Sequence, residues 1–180
     1  MIAEKRSEAA GERSGGVGRA RRAARLAAVQ ALYQIEVAAT RSDSVIAEFV
    51  AHRLDRSIDG ERAAPADRAH FVSVVEGVSR RPDDVDTLIG DVLGEGWSLR
   101  RLGALLRALM CAAAFELLEM QAVPARVVID EYVEIAASFF SDREPAFVNG
   151  ALDKLARRLR PTEFEAPSVA AGDGGPGHAA

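Results

Sequence analysis

The chain has few of the residues on which catalytic and disulfide-stapled folds depend. Its 180 residues include three histidines and a single cysteine, Cys111. One cysteine excludes an intramolecular disulfide, and its apolar neighbours favour a buried, unreactive thiol. The histidines, His52, His70 and His178, have no second ligand at metal-binding spacing. We therefore expect no zinc site and no cofactor, and the cysteine content fits a reducing cytoplasm.

Long apolar runs and strand-favouring residues are also scarce. The most apolar stretch, 102–120, is interrupted by Arg107, Glu116 and Glu119, and residues 1–18 have no apolar signal core, so no contact with a membrane is expected. Aromatic residues make up 6% of the chain. Apolar residues recur at spacings of three and four and are mainly Ala, Leu and Val, which predicts an all-α fold, a compact bundle of about seven helices.

The periodicity and the breaker residues predict the helix bounds and the ends of the domain. On the first helix, Leu26, Val29, Leu32, Tyr33 and Val37 are expected to face inward. On the sixth, Val128, Tyr132, Ile135 and Phe139 form the expected apolar stripe. The predicted helices are 19–39, 43–54, one opened by Pro65 and ending before Pro82, 83–93, one capped by Ser98, one opened by Pro124, and one opened by Pro145. We expect a disordered basic arm over 1–18, a folded domain over 19–161 and a disordered tail over 162–180.

Positive charge is concentrated at the beginning of the chain. Residues 1–25 carry a net charge of +4 and the remainder carries −8. Arg21, Arg22 and Arg25 are close in helical spacing, so their guanidinium groups are expected to project from one surface. Phosphate is the expected ligand of such a cluster. A solvated helix end is an equally good interpretation of this run taken alone.

A second segment, 138–150, joins two predicted helices through a polar loop. Arg143, Phe147 and Asn149 supply the guanidinium, ring and amide groups that bind single-stranded RNA by stacking and by hydrogen bonds to base edges. As an isolated pattern, core packing of Phe147 and a local backbone bond of Asn149 are the better interpretation. Gln30 and Tyr33 have the same ambiguity.

Other polar motifs indicate structure and not catalysis. Asp83, Asp84 and Asp86 lie in the first turn of a predicted helix, where the helix dipole favours acidic residues. The glycine-rich runs 15–18 and 94–96 lack the preceding strand and the lysine spacing of a phosphate-binding loop. No catalytic constellation is found, so we expect a binding protein and not an enzyme.

Several ordered motifs together resemble the NusB family of bacterial transcription antitermination factors. Arg21-Arg22-Ala-Ala-Arg25 is followed by Ala28-Val29-Gln30-Ala31-Leu32-Tyr33, and Phe147-Val148-Asn149-Gly150-Ala151-Leu152-Asp153-Lys154 lies near the end. Between them are Phe115-Glu116-Leu117-Leu118, Val123-Pro124, Val128-Ile129-Asp130-Glu131 and Glu134-Ile135-Ala136. The resemblance covers about residues 19–161.

The resemblance implies an all-helical fold of two packed subdomains without enzymatic activity. It implies binding of the boxA element of ribosomal RNA leader transcripts together with NusE, a protein of the small ribosomal subunit, in an antitermination complex with RNA polymerase. The residues expected to bind RNA are Arg19, Arg21, Arg22, Arg25, Gln30, Tyr33, Arg143, Phe147 and Asn149. Cys111 and Asp130 depart from the family pattern, which often has arginine and asparagine there.

Other interpretations remain open from the sequence. The chain could be the NusB-like domain of a ribosomal RNA cytosine methyltransferase, if it is a fragment. A purely structural helical adaptor would have no affinity for RNA even with NusE present. Some members of the family form homodimers that cover the RNA surface, and the sequence leaves the monomer-dimer balance undecided.

Overall fold

The computed structural model describes residues 2–54, 66–93, 99–141 and 143–165, with side chains except those of 2–14 and Arg100. These residues form seven α-helices and two short 3₁₀ turns, and no strand occurs among them. The helices are α1 Ile2–Ala38, α2 Ser42–His52, α3 Arg68–Arg80, α4 Pro82–Leu93, α5 Ala104–Glu119, α6 Ala125–Phe139 and α7 Arg143–Leu159. The 3₁₀ turns are Leu99–Arg101 and Pro161–Glu163. The predicted all-α fold is confirmed.

Helix α5 is the central element of the bundle. It packs against α1, α3, α4, α6 and α7, and each of its residues from Ala112 to Leu117 is buried. Helices α1, α2 and α3 contact one another, α4 to α7 form a second group, and α5 joins the two through α1 and α3. This arrangement confirms the two packed subdomains. Within the described ranges, no helix combines the length and the apolar character needed to cross a membrane.

The close approach of α3 to α5 depends on a glycine. A β-carbon placed at Gly77 would overlap the ring of Phe115. Any side chain at this position would therefore force the two helices apart or displace the ring. The contact fixes α3 against the central helix and so holds Asp67, at the N-terminus of α3, beside α1.

Some helix bounds differ from the prediction. Helix α1 begins at Ile2, so the segment 2–18, expected to be disordered, continues the first helix. Its first residues are rich in Ala, Glu, Lys and Arg, which favour helix and oppose the effect of the four glycines in the segment. Helix α5 begins at Ala104 after Gly103, later than a cap at Ser98 would place it. Ser98, Pro65 and the glycines Gly94 and Gly96 lie outside the described residues.

Three apolar residues expected in the core lie at the surface. Tyr33 is 40% exposed, Val37 is 59% exposed and Phe139 is 42% exposed. Tyr33, Val37 and Phe139 line a groove that is open to solvent, and Phe139 is the last residue of α6. The expectation that these side chains face inward is therefore wrong.

Residues after the predicted end of the domain still belong to the fold. The buried Arg160 side chain donates hydrogen bonds to the carbonyl oxygens of Glu116, Leu117 and Val123, which joins the end of α7 to the connection between α5 and α6. Glu163 accepts a hydrogen bond of 2.7 Å from the backbone N–H of Ala125, the first residue of α6. The folded domain therefore extends beyond 161, and residues 166–180 lie outside the described part.

Candidate nucleic-acid interface

A polar and aromatic stripe runs along the exposed side of α1. Its members follow one another at spacings of three or four residues, which places them on one face of the helix. Most are exposed, and Leu26 is half-buried. We call this set the outer stripe of α1: Arg19, Arg22, Leu26, Gln30, Tyr33 and Val37.

The two outer arginines differ in their partners. Arg22 forms an ion pair with Glu134 of α6, and about half of each of these side chains is exposed. Arg19 is exposed, and among the side chains that the structure describes no carboxylate forms an ion pair with it. A guanidinium group at the surface can bind phosphate directly, because no buried ion pair has to be broken first. Both side chains are accessible to a polyanion along the outer stripe.

Arg21 lies on the edge of α1 that faces α3. Its Nε atom is 3.6 Å from Oδ2 of Asp67, and the two side chains are partly exposed. The other carboxylate oxygen of Asp67 accepts a hydrogen bond of 3.0 Å from the backbone N–H of His70 and so caps α3. The backbone N–H of Asp67 donates to the carbonyl oxygen of Ala20. Asp67 thus joins the start of α3 to the basic turn of α1.

Arg25 does not share this surface. Only 2% of its side chain is exposed. Its Nε atom donates to both carboxylate oxygens of Glu116, at 3.1 Å and 3.0 Å, and its NH1 atom lies 3.5 Å from Oε2 of Glu131. The expectation that all three guanidinium groups project from one surface is therefore wrong for Arg25. Its side chain points at α5, where Glu116 lies.

Glu116 is the centre of this buried polar cluster. It is fully buried on α5, and His70 of α3 places Nε2 at 3.2 Å from Oε2. Burial alone raises the pKa of the Glu116 carboxyl, but hydrogen bonds from His70 and Arg25 outweigh it and lower the pKa from 4.5 to about 2. The carboxylate is therefore ionised and paired, and it links α1, α3 and α5. His70, which has no second metal ligand at suitable spacing in the sequence, therefore has Glu116 as its partner.

A groove opens beside the C-terminal half of the outer stripe. It has a volume of about 540 Å³ and is lined by Gln30, Tyr33, Arg53 and Phe139 together with apolar residues of α1 and α5. Exposed rings beside a guanidinium and amides are the groups on which single-stranded bases stack and pair. The sequence indicated Gln30 and Tyr33 but missed Arg53 and Phe139, because only the fold brings α2 and the end of α6 to α1.

The α7 residues divide between two sides of that helix. Phe147 is half-buried and lines a depression of about 300 Å³ between α4 and α7, and Lys154 lies at its edge. Asn149 lines a smaller hollow of about 140 Å³ with Asp130 and Asp153 on the side of α6. Side chains two positions apart on a helix point about 200° apart. Phe147 and Asn149 therefore cannot contact the same nucleotide from one side of α7. Arg143, one turn before Phe147, is exposed.

These surfaces define a class of protein. The chain folds as a helical bundle that exposes guanidinium groups and an aromatic ring along its first helix, the combination that binds nucleic acid. In the part of the chain that the structure describes, no group of three His, Cys, Asp or Glu side chains is placed to hold a metal ion. Binding of a polyanion is the chemistry that these side chains provide.

The chain belongs to the NusB family, whose model matches residues 22–157. It is 50% identical over 140 residues to the transcription antitermination protein NusB of Sinorhizobium fredii, covering 78% of this chain and 88% of the relative. It is 51% identical to the protein of the same name from Caulobacter vibrioides, covering 78% of this chain and 94% of the relative. Relatives named as antitermination proteins therefore match it over most of both lengths.

Solved structures of the family have the same fold. NusB of T. maritima superimposes with a TM-score of 0.66 at 31% identity, covering 81% of this chain and 97% of that chain. A structure of antitermination factors NusB and NusE in complex with double-stranded RNA superimposes with a TM-score of 0.65 at 20% identity, covering 78% and 98%. At that identity the second likeness concerns the fold alone.

Proposed function

We propose that the protein is a transcription antitermination factor that binds boxA-type single-stranded RNA of ribosomal RNA leader transcripts together with NusE. In this function it acts in the cytoplasm by binding, without catalysis, and joins an antitermination complex with RNA polymerase. The observation that carries the proposal is the outer stripe of α1, where exposed Arg19 and Arg22 continue into Gln30 and Tyr33. Cations followed by a ring and an amide suit a strand with phosphates on one side and bases on the other.

Family membership supports the same function. The relatives that match most of this chain are named transcription antitermination protein NusB, and one related structure is named as a complex of NusB, NusE and RNA. These names favour the antitermination function over a domain of a ribosomal RNA methyltransferase. We propose Arg19, Arg21, Arg22, Gln30 and Tyr33 as RNA-binding residues of α1.

The proposed surface of α7 is narrower than the sequence indicated. We retain Arg143 and Phe147, because an exposed cation one turn from a half-buried ring can hold a phosphate and a base. Asn149 can contact RNA only if the strand also reaches the side of α7 next to α6. Arg25 is not proposed as an RNA contact, since its guanidinium is held by buried Glu116.

The experiment that tests this function is a fluorescence anisotropy titration of labelled boxA-type RNA, with and without NusE, at several salt concentrations. Arg19→Ala/Arg22→Ala should weaken binding and make the dependence of log K on log salt shallower by about 1.4, at roughly 0.7 per lost phosphate contact on a single strand. Arg80→Ala/Arg158→Ala is the matched control, because both of its arginines are also exposed and Arg80, like Arg22, has a glutamate partner.

Equal losses in the two double variants would assign the effect to total charge and not to the outer stripe. Absence of RNA binding by the wild-type protein, alone and with NusE, would contradict the proposed function altogether.

A further inference from the structure

The basic turn of α1 is flanked by carboxylates contributed by neighbouring helices. Asp67 of α3 pairs with Arg21, and Glu134 of α6 pairs with Arg22. Deeper in the protein, Glu131 of α6 approaches Arg25. A surface that is expected to bind phosphate therefore already holds anions of its own.

Unlike that of Asp67, the side chain of Glu134 makes no second hydrogen bond or ion pair with the described residues. Asp67 also caps α3 and bonds to Ala20 through its backbone. Glu134 is 55% exposed on the solvent side of α6, and among the described side chains its partner is the Arg22 guanidinium. The adjacent Ile135 and Ala136 are buried and attach this turn of α6 to the core without help from the glutamate. Removal of this carboxylate should leave the fold intact.

We propose that Glu134 is an affinity-setting residue, whose carboxylate competes with RNA phosphate for the Arg22 guanidinium. This inference rests on the proposed function, since it assumes that Arg22 contacts RNA. A phosphate that approaches Arg22 must displace Glu134 and then lies near a freed negative charge. Both effects oppose binding, so RNA affinity is held below the value that the arginines alone would give.

The competition also predicts a change in salt dependence. RNA binding releases cations condensed on the strand. If Glu134 loses its arginine on binding, the freed carboxylate attracts a cation in turn and offsets part of that release. A variant without this carboxylate should therefore show a steeper dependence of affinity on salt, by less than the roughly 0.7 that one phosphate contact contributes to the slope of log K against log salt.

The test compares Glu134→Gln with the wild-type protein in anisotropy titrations of boxA-type RNA. We expect affinity to rise about two- to fivefold at low salt, the range that exposed ion pairs allow, with a steeper salt slope. Glu76→Gln is the matched control, since it makes the same change in an exposed pair with Arg80 at the end of α3 far from Asp67. A thermal melt within about 2 °C of wild type shows that the variant is folded.

The same substitution in an Arg22→Ala background isolates the pair. There, Glu134→Gln should change affinity no more than Glu76→Gln does, because the guanidinium for which the carboxylate competes is gone. If Glu134 instead positions Arg22 for RNA, Glu134→Gln will lower affinity, the opposite sign.

The outcomes separate this inference from the function on which it rests. Wild-type protein that binds no RNA overturns both. Binding that Arg22→Ala weakens, together with an affinity for Glu134→Gln that is unchanged, lower or matched by Glu76→Gln, overturns only the competition. An equal gain from Glu134→Gln with and without Arg22 overturns it as well, because the gain would then come from net charge.

Discussion

Arginine residues on the inner and outer faces of α1 differ in burial and in their partners. Arg25, on the inner face, is 2% exposed and held by fully buried Glu116, whereas Arg22, three positions earlier, is about half exposed and pairs with exposed Glu134. A buried pair becomes costly when one partner is lost, because an uncompensated charge stays in the interior. An exposed pair contributes little to stability but leaves its cation available to a ligand.

The comparison shows why a cluster of arginines cannot be treated as one surface. Three positions turn a side chain by only about 60° around the helix, but they also move Arg25 along α1 to where Glu116 of α5 and Glu131 of α6 reach it. On this helix the inner arginine stabilises the junction of α1, α3 and α5. Arg22 remains at the surface, where a ligand can reach it.

The largest effect should come from breaking the inner pair. We expect Arg25→Ala to lower the free energy of unfolding by about 3 to 5 kcal/mol, because Glu116 is left charged in the core. Arg22→Ala, the matched change on the outer face, should cost no more than about 1 kcal/mol. Urea denaturation of both variants measures the difference.

A second substitution checks the cause of that loss. Arg25→Ala/Glu116→Gln should recover part of the stability, since the unpaired charge is removed. If Arg25→Ala keeps full stability but loses RNA affinity, Arg25 belongs with the outer face and the comparison fails.

Acid should weaken the inner face in a defined pH range. The pKa of Glu116 is lowered from 4.5 to about 2 in the folded protein, so its contribution is complete above 4.5 and disappears as the pH falls from 4.5 to 2. The shift corresponds to about 3 kcal/mol. Glu116→Gln should be less stable at neutral pH and show a flatter stability profile in that range.

Chemical denaturation at a series of pH values measures these profiles. Glu76→Gln, at a partly exposed glutamate on α3, is the control for a change of charge alone. Parallel profiles for Glu116→Gln and wild type would show that Glu116 is not the group responsible.

Phe147 tests whether a partly buried ring can serve both packing and RNA. We expect Phe147→Ala to weaken RNA binding by about 1 to 3 kcal/mol, the range for one stacked base. Truncation of a fully buried ring lowers the free energy of unfolding by about 3 to 5 kcal/mol. Phe147→Ala should cost less, because Phe147 is half-buried. Phe71→Ala, at a fully buried ring, should give the larger melting shift and normal affinity in its folded fraction.

Thermal melts run beside RNA titrations distinguish the two uses of Phe147. A melting shift as large as that of Phe71→Ala, with normal affinity for the folded fraction, would remove Phe147 from the proposed RNA surface.

The smallest effect is expected at Cys111, on the central helix α5. Burial raises the pKa of its thiol to about 12, so little reactive thiolate is present at neutral pH. Cys111 should therefore react slowly with thiol reagents in the native protein and quickly in urea. Cys111→Ala should retain RNA binding. Rapid labelling of the native protein would show that this part of α5 is more accessible than the structure places it.

Much of the fold could be predicted from the spacing of apolar residues. A period of three to four residues, with Pro82 and Pro124 at helix starts, indicates the helical class and most helix bounds. The same spacing failed for Tyr33 and Phe139, because an apolar residue at the right period faces the core only where another element covers it. Coverage depends on helix packing, which the local pattern does not contain.

The sequence by itself determined that this chain forms helices, that its positive charge lies near the beginning, and which residue types could bind RNA. Only the tertiary structure decided that Arg25 is buried in an ion pair, whereas Arg22 lies at the surface. Arg25 meets Glu116, 91 positions away, and Arg22 meets Glu134, because α5 and α6 cross α1 at that turn. The free energy of a charge depends on its burial and its partners, and both are set by contacts between residues distant in sequence.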